Sequence, residues 1–256
     1  IPNTVVSIGD NAFWNCNTIE ATLPASVREL GATAFYGTYV VNVDANSPYL
    51  CSEESGKVLY SKDKTTLYQV SQDYSGKFTI PNTVTSINDY AMSGCSQVTG
   101  ALVIPDGVQT ISRGAFAGTG FTSLTLGNNV KEIGSGAFSG CAALTGVLTF
   151  PASVEAIRSN AFAACSGITE ITIPEGNITI EYAAFTGDTS VQAVRIPLSE
   201  IQFDKLNSGG YYIFTNYTKD ELETIVLGSA PAETGLTGLF SRSMKGLKTL
   251  VIGTGV

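Results

Sequence analysis

Apolar residues recur along the chain in triplets, each an apolar residue followed by two more at +3 and +5. Examples are Phe121, Leu124 and Leu126; Ile168, Ile171 and Ile173; Val191, Val194 and Ile196; Leu222, Ile225 and Leu227; Leu247, Leu250 and Ile252. The closing alternation puts Leu124 and Leu126 on one side of a strand and Thr125 on the other, because successive strand side chains point to opposite faces. Each triplet therefore predicts one short strand. A Pro or Gly follows each strand, at Pro2, Pro24, Pro81, Pro105, Gly127, Pro151, Pro174, Pro197 and Gly228. From the first seven of these, Phe13, Phe35, Met92, Phe116, Phe138, Phe162 and Phe185 each lie 11 residues on. The last two units stretch to 17 and 12, ending at Phe214 and Phe240.

Between those landmarks the same interior is rebuilt. Val108, Ile111 and Phe116 correspond to Val130, Ile133 and Phe138, and these to Val154, Ile157 and Phe162. The Val-x-x-Ile piece predicts a second short extended segment, and Gly-x-x-Ala-Phe a single helical or 3₁₀ turn. Extra residues beside a glycine, at Thr99-Gly100-Ala101-Leu102 and Thr145-Gly146-Val147-Leu148, predict small bulges that preserve register. A unit of this length cannot bury its own apolar face, so successive units must cover one another. Residues 1–256 are expected to form one solenoid of about nine coils, a rod about 40 Å long at roughly 4.8 Å per layer.

Two segments break the repeat. Leu23 and Ile80 are 57 residues apart where about 22 is the rule. Within this insertion, at about 41–78, the runs Lys57-Val58-Leu59-Tyr60 and Thr66-Leu67-Tyr68-Gln69-Val70 flank the polar turn Ser61 to Thr65, which predicts a β-hairpin projecting from the rod or lying along it. Six of the eleven tyrosines fall between Tyr36 and Tyr74, and tyrosine is large, rigid and amphipathic. Tyr49, Tyr60 and Tyr68 are thus candidate partner contacts, the alternative being that they pin the hairpin to the solenoid. The second break is a longer, irregular coil at about 197–227, where Asn207-Ser208-Gly209-Gly210 predicts a flexible tip.

The string Leu-Thr-x-Leu-x-Ile-Pro-x-x-Val-x-x-Ile-x-x-x-Ala-Phe-x-x-Cys resembles the BspA-type leucine-rich repeat of bacterial surface proteins, and the resemblance runs over nearly the whole chain. It implies an α/β, β-rich, right-handed leucine-rich-repeat solenoid with one short parallel strand per coil. It also implies an exported, cell-surface protein engaged in adhesion or in binding host factors. The chain starts at Ile1, inside a repeat, so a longer protein carrying the export signal and anchor is expected.

Composition narrows the chemistry. A net charge of −8 with no Lys/Arg cluster disfavours nucleic acid and anionic membrane, and no apolar run approaches the roughly 18 residues of a membrane span. Histidine is absent, which removes Ser-His-Asp and Cys-His catalysis and every His-ligated metal site. Glu53 and Glu54 are adjacent on an extended chain and diverge, and Ser61-Lys62-Asp63-Lys64 sits in the turn. Cys16, Cys95, Cys141 and Cys165 share one repeat position with Thr38, Thr119 and Asp188, three residues after the Phe or Met, which marks a structural ladder of small side chains. Cys51, in the insertion, is either free or packed. Without a Cys-x-x-Cys pair, zinc and thioredoxin-like chemistry have no support. No enzyme, cofactor or metal is expected.

The outward strand positions are Val103, Thr125, Thr149, Thr172, Arg195, Val226 and Val251. This column is almost uncharged and lacks an aromatic ring, which suits a broad protein contact better than carbohydrate. Thr125, Thr149, Thr172 and Arg195 are its candidate contacts. Two functions compete: a binding or adhesion module for a protein or other macromolecular surface ligand, and a stalk that presents another domain.

Overall fold

The computed structural model describes residues 1–16, 20–174, 178–188, 190–196, 224–227 and 249–252. They build a β-rich solenoid of about eight turns. Two of the loop openings counted above, Pro197 and Gly228, and most of the irregular coil at 197–227 lie outside the described residues.

Each regular coil contributes two short strands. The first column includes Ala101–Val103 paired in parallel with Ser123–Thr125, and a five-stranded parallel sheet of Gly146–Thr149, Ile168–Thr172, Ala193–Ile196, Thr224–Leu227 and Thr249–Ile252. The second column is the Val-x-x-Ile piece: Thr110–Ile111, Glu132–Ile133, Ala156–Ile157 and Thr179–Ile180 form a four-stranded parallel sheet. Its isoleucines point inward, and Ile111, Ile133 and Ile157 are fully buried. Of the two expected bulges, the second is a register shift beside Gly146 (φ 82°), whereas at the first Gly100 (φ 90°) separates the strands Val98–Thr99 and Ala101–Val103. At the second, Gly146 faces Ile168 and Val147 faces Glu170, so that Thr169 is the unpaired residue.

The segment around each Phe is not helical. Around Phe116, Phe138 and Phe162 it is a run of linked turns in which residues two before and two after the Phe have positive φ: Gly114 (59°) and Gly118 (67°), Gly136 (63°) and Gly140 (76°), Asn160 (57°) and Ala164 (59°). This alternation sends every second N–H along the stack. Ala115 and Ala117 donate within their own coil, to Ser112 and Gly114, whereas Phe116 and Gly118 donate to Ala137 and Ser139 of the next, at 2.8 Å each. A helical turn would have kept all of these bonds inside one coil and left the layers joined only through their strand columns. Among the described residues the one helical element is the 3₁₀ turn Glu54–Gly56.

The phenylalanines stand in single file. Ring centroids are 5.3 Å apart for Phe116–Phe138, 4.9 Å for Phe138–Phe162 and 5.7 Å for Phe162–Phe185, with interplanar angles of 8°, 9° and 12°. Three residues on, the ladder runs beside them. Thr119 Oγ1 donates to the Phe116 carbonyl in its own coil (2.9 Å), and the Cys141 and Cys165 thiols reach back one coil to the Phe116 and Phe138 carbonyls (3.0 and 3.1 Å). At the seventh such position stands Asp188, fully buried. Its Oδ1 accepts the Cys165 N–H at 2.7 Å, and its Oδ2 has no partner among the described residues. Burial pushes this carboxyl up to about 8, only partly offset by the Cys165 N–H.

The expected β-hairpin is present, Val58–Ser61 pairing antiparallel with Thr66–Val70, and a further strand, Leu50–Glu53, extends it to a three-stranded antiparallel meander. It neither projects nor lies along the rod; it is a layer within the stack. Thr66–Val70 lies parallel to Ser86–Ile87, with Leu67 opposite Ile87. The Thr65 carbonyl takes the N–H groups of both Thr85 and Ser86, as Gln109 does for Lys131 and Glu132. Val70 occupies the Phe position: its N–H donates to Ala91, and its carbonyl is in reach of the Cys95 thiol. Because both faces of the layer are covered, its alternation feeds two cores. Leu50 and Leu59 pack with Leu23 and Phe35, while Val58, Tyr60, Leu67 and Val70 join the core that continues through Phe185.

Candidate functional site

The first strand column presents the outward residues as a file. Pairing sets Val103 beside Thr125, and Thr149 beside Thr172 and then Arg195, which is followed by Val226 and Val251. Val103 is 54% exposed, and Thr125 and Thr149 are exposed, as is Thr79 one coil earlier; Thr172 is half-buried. The Arg195 Nε donates to Glu170 Oε1 at 2.7 Å, which fixes the guanidinium at the rim of the file. Methyls and hydroxyls at β-strand spacing offer area and hydrogen bonds. Among the described residues no group of three His, Cys, Asp or Glu could hold a metal ion.

The three meander tyrosines have different fates. Tyr60 is 1% exposed, with burial and then the Glu53 carboxylate holding its hydroxyl well above the usual phenol range. It is a core residue and leaves the set of candidate contacts, because the strand that carries it is sandwiched between layers. Tyr68 is half-buried against the core of Leu50 and Leu59, and burial raises its hydroxyl too. Tyr49 is 46% exposed. The polar turn is closed by Asp63, whose Oδ1 accepts from Ser61 Oγ (2.7 Å), the Thr65 N–H (3.1 Å) and Thr65 Oγ1 (2.8 Å), so Ser61 and its lysines are turn chemistry. All five cysteines are free, and half-buried Cys51 donates its thiol to the Ser61 carbonyl at 3.3 Å.

Two surface features escaped the sequence reading. On the second strand column, Arg158 bridges three coils: Nε and Nη2 bind Glu132 Oε1 and Oε2 (3.0 and 2.7 Å), and Nη1 binds Glu181 Oε1 (2.8 Å). The hydrogen bonds from Arg158 hold the Glu132 carboxyl below its ordinary range, and Arg158 and Ser159 do the same for Glu181 against the cost of its burial. A concavity of about 450 Å³ lies beside this staple, with Thr110, Lys131 and Glu155 in its lining. On the turn face, Trp14, Tyr36 and Tyr90 meet. The Trp14–Tyr36 centroids are 4.3 Å apart at 30°, and Tyr90 stands edge-on to both, at 6.2 and 5.5 Å. The cluster follows from the meander. Leu67 to Val70 spans three residues where Ile87 to Met92 spans five, so this layer lacks the bulk of a turn and the rings close the notch. That Trp14 and Tyr36 both directly follow the Phe of their repeats is the sequence signal for it.

Solved structures share this architecture. A leucine-rich repeat protein from Eubacterium ventriosum is similar with a TM-score of 0.69 and 22% identity, over 98% of this chain and 62% of its own. The pneumococcal vaccine antigen PcpA is similar with a TM-score of 0.57 and 18% identity, over 98% of this chain and 60% of its own. The chain thus spans less than two thirds of the length of either. No functionally curated protein matches it in sequence. The profile of the BspA type leucine-rich repeat region, in six copies, matches residues 1–55, 68–192, 99–219 and 147–251, and by that match the chain belongs to the BspA-type leucine-rich repeat family.

Proposed function

We propose that this chain is a non-enzymatic, cell-surface binding module that holds a protein partner on the outward face of its first strand column, with Tyr49 as a second contact. The observation that carries the reading is the exposed file of Val103, Thr125 and Thr149, continued by Thr172 and Arg195: a flat area with almost no charge to desolvate. Family membership supports the binding role and the surface location. In pull-downs from host matrix and plasma proteins, the double variant Thr125→Arg with Thr149→Arg is expected to weaken capture at least about 10-fold, and Tyr49→Ala to weaken it less. Capture unchanged in both variants excludes this face. One observation favours a second reading, a stalk: the file offers no ring and a single charged side chain, little to anchor a hot spot. Full-length protein that captures no partner, in a setting where a neighbouring domain does, supports the stalk.

A further inference from the structure

The second strand column carries a groove of its own. Two concavities, of about 450 and 410 Å³, share Thr110, Glu132, Arg158 and Glu181 in their walls and so form one polar channel that crosses the coils from Asp89 to Glu181. Small residues open it: Ala156 stands between Glu132 and Thr179 in the strand pairing, and Gly134 lies where the coils on either side have Ser112 and Arg158. The polar groups of the channel are fixed in orientation. Three of the five N–H groups of the Arg158 guanidinium are engaged by Glu132 and Glu181, and Glu181 Oε2 also accepts the Ser159 N–H and Oγ, at 3.1 and 3.0 Å. Two N–H groups of Arg158 remain to donate, and the bound carboxylate oxygens keep room to accept. Arg113, exposed at the other end, enters no ion pair among the described residues, and Asp89 beside it engages Oδ1 with the Arg113 backbone N–H at 3.1 Å. Three cations, Arg113, Lys131 and Arg158, thus share the lining with the carboxylates of Asp89, Glu132, Glu155 and Glu181, which leaves it close to neutral. Its apolar members are Ala156, Gly134 and Ile111, the last fully buried, so it offers no wall to an apolar side chain.

We propose that this groove binds a neutral, hydroxyl-rich oligosaccharide. A sugar hydroxyl both donates and accepts, which matches a lining where the spare N–H groups of Arg113 and Arg158 alternate with the oxygens of Asp89, Glu132 and Glu181. An anion would meet four carboxylates on a protein of net charge −8, a cation would meet three fixed positive charges, and a peptide would find nothing to hold its apolar side chains. The coils advance by roughly 4.8 Å, close to the advance of one ring in an extended pyranose chain, so successive sugars would meet successive coils. The threonine file lacks both rings and oriented charged groups; here the oriented charged groups are present. The groove is separate from that file, and the proposal goes beyond the protein-binding reading.

The full chain is titrated by calorimetry with hexasaccharides of β-1,4-linked glucose, β-1,4-linked mannose and α-1,4-linked glucose and, in parallel, with a heparin hexasaccharide and an oligolysine peptide. The expected result is saturable binding of at least one neutral oligosaccharide that does not weaken as salt rises. Arg113→Ala is expected to weaken it about 10-fold. Thr110→Trp, which fills the channel from an exposed position in the walls of both concavities, is expected to abolish it. Circular dichroism verifies that both variants fold. No binding of any neutral oligosaccharide, binding of heparin or oligolysine in their place, or binding that both variants leave unchanged overturns the proposal. Variants at Thr125 and Thr149 leave this titration unchanged, so its failure is distinct from failure of the strand-face reading.

Discussion

Asp188 stands where the other coils place a hydroxyl or a thiol, both of which donate. A carboxylate has nothing to donate, and Oδ2 is buried with no partner among the described residues. Its folded-state pKa of about 8 lies above the unfolded value of about 4, so the folded state holds this proton more tightly. The stability it supplies is complete below about pH 4 and is lost as pH rises to about 8, by roughly 1.4 kcal/mol per unit inside that window. Asp188→Thr, which restores a donor, is expected to change little near pH 5 and to stabilise by a few kcal/mol near pH 8. Urea denaturation of both proteins at the two pH values measures this; a benefit independent of pH sinks it. Glycine acts elsewhere through space rather than charge. A Cβ on Gly167 would lie 2.3 Å from the Leu144 carbonyl, so Gly167→Ala is expected to destabilise by about 2 kcal/mol, read as a lower urea midpoint.

At the scale of elements, the meander separates what sequence conveys from what it does not. Alternation and turn residues predicted two of its three strands, because both are local properties of the chain, while Leu50–Glu53 went unread. Its place in the stack depends on which carbonyls it offers to neighbours, and that is invisible in a pattern of apolar residues. Tyr60, legible only as either a partner contact or a pin between hairpin and solenoid, is a core residue. Tyr60→Ala is expected to cost about 3–5 kcal/mol of stability while leaving partner capture per folded molecule unchanged. Loss of capture without loss of stability would reverse the assignment. The linked turns were missed for a related reason: glycine at Phe−2 and Phe+2 is legible, yet Asn160, Ala164 and Tyr90 adopt the same positive φ without being glycine, so a helical turn and an alternating one look alike in sequence. Of the binding surfaces, the threonine file was readable by alternation, whereas the polar groove joins residues from Asp89 to Glu181 and needed the fold.

For the molecule as a whole, the repeat itself was legible, since a constant offset of 11 from Pro or Gly to Phe leaves only stacked coils as a way to bury those rings. Stability is then shared between neighbouring layers. Phe138→Leu and Phe162→Leu, whose rings stack at 4.9 Å, are expected to be non-additive, with a coupling of about 0.5–1.5 kcal/mol, while Phe116→Leu with Phe185→Leu, which do not touch, should add. Double-mutant cycles by denaturation decide this. The meander carries the consequence furthest. The adjoining coil accepts a layer of foreign topology because it tests only the position of a few carbonyls and the thickness of an apolar sheet. The rod has, in effect, a splice port: loops of new shape can be grafted between layers, and recognition diversified, without renegotiating the rest of the structure.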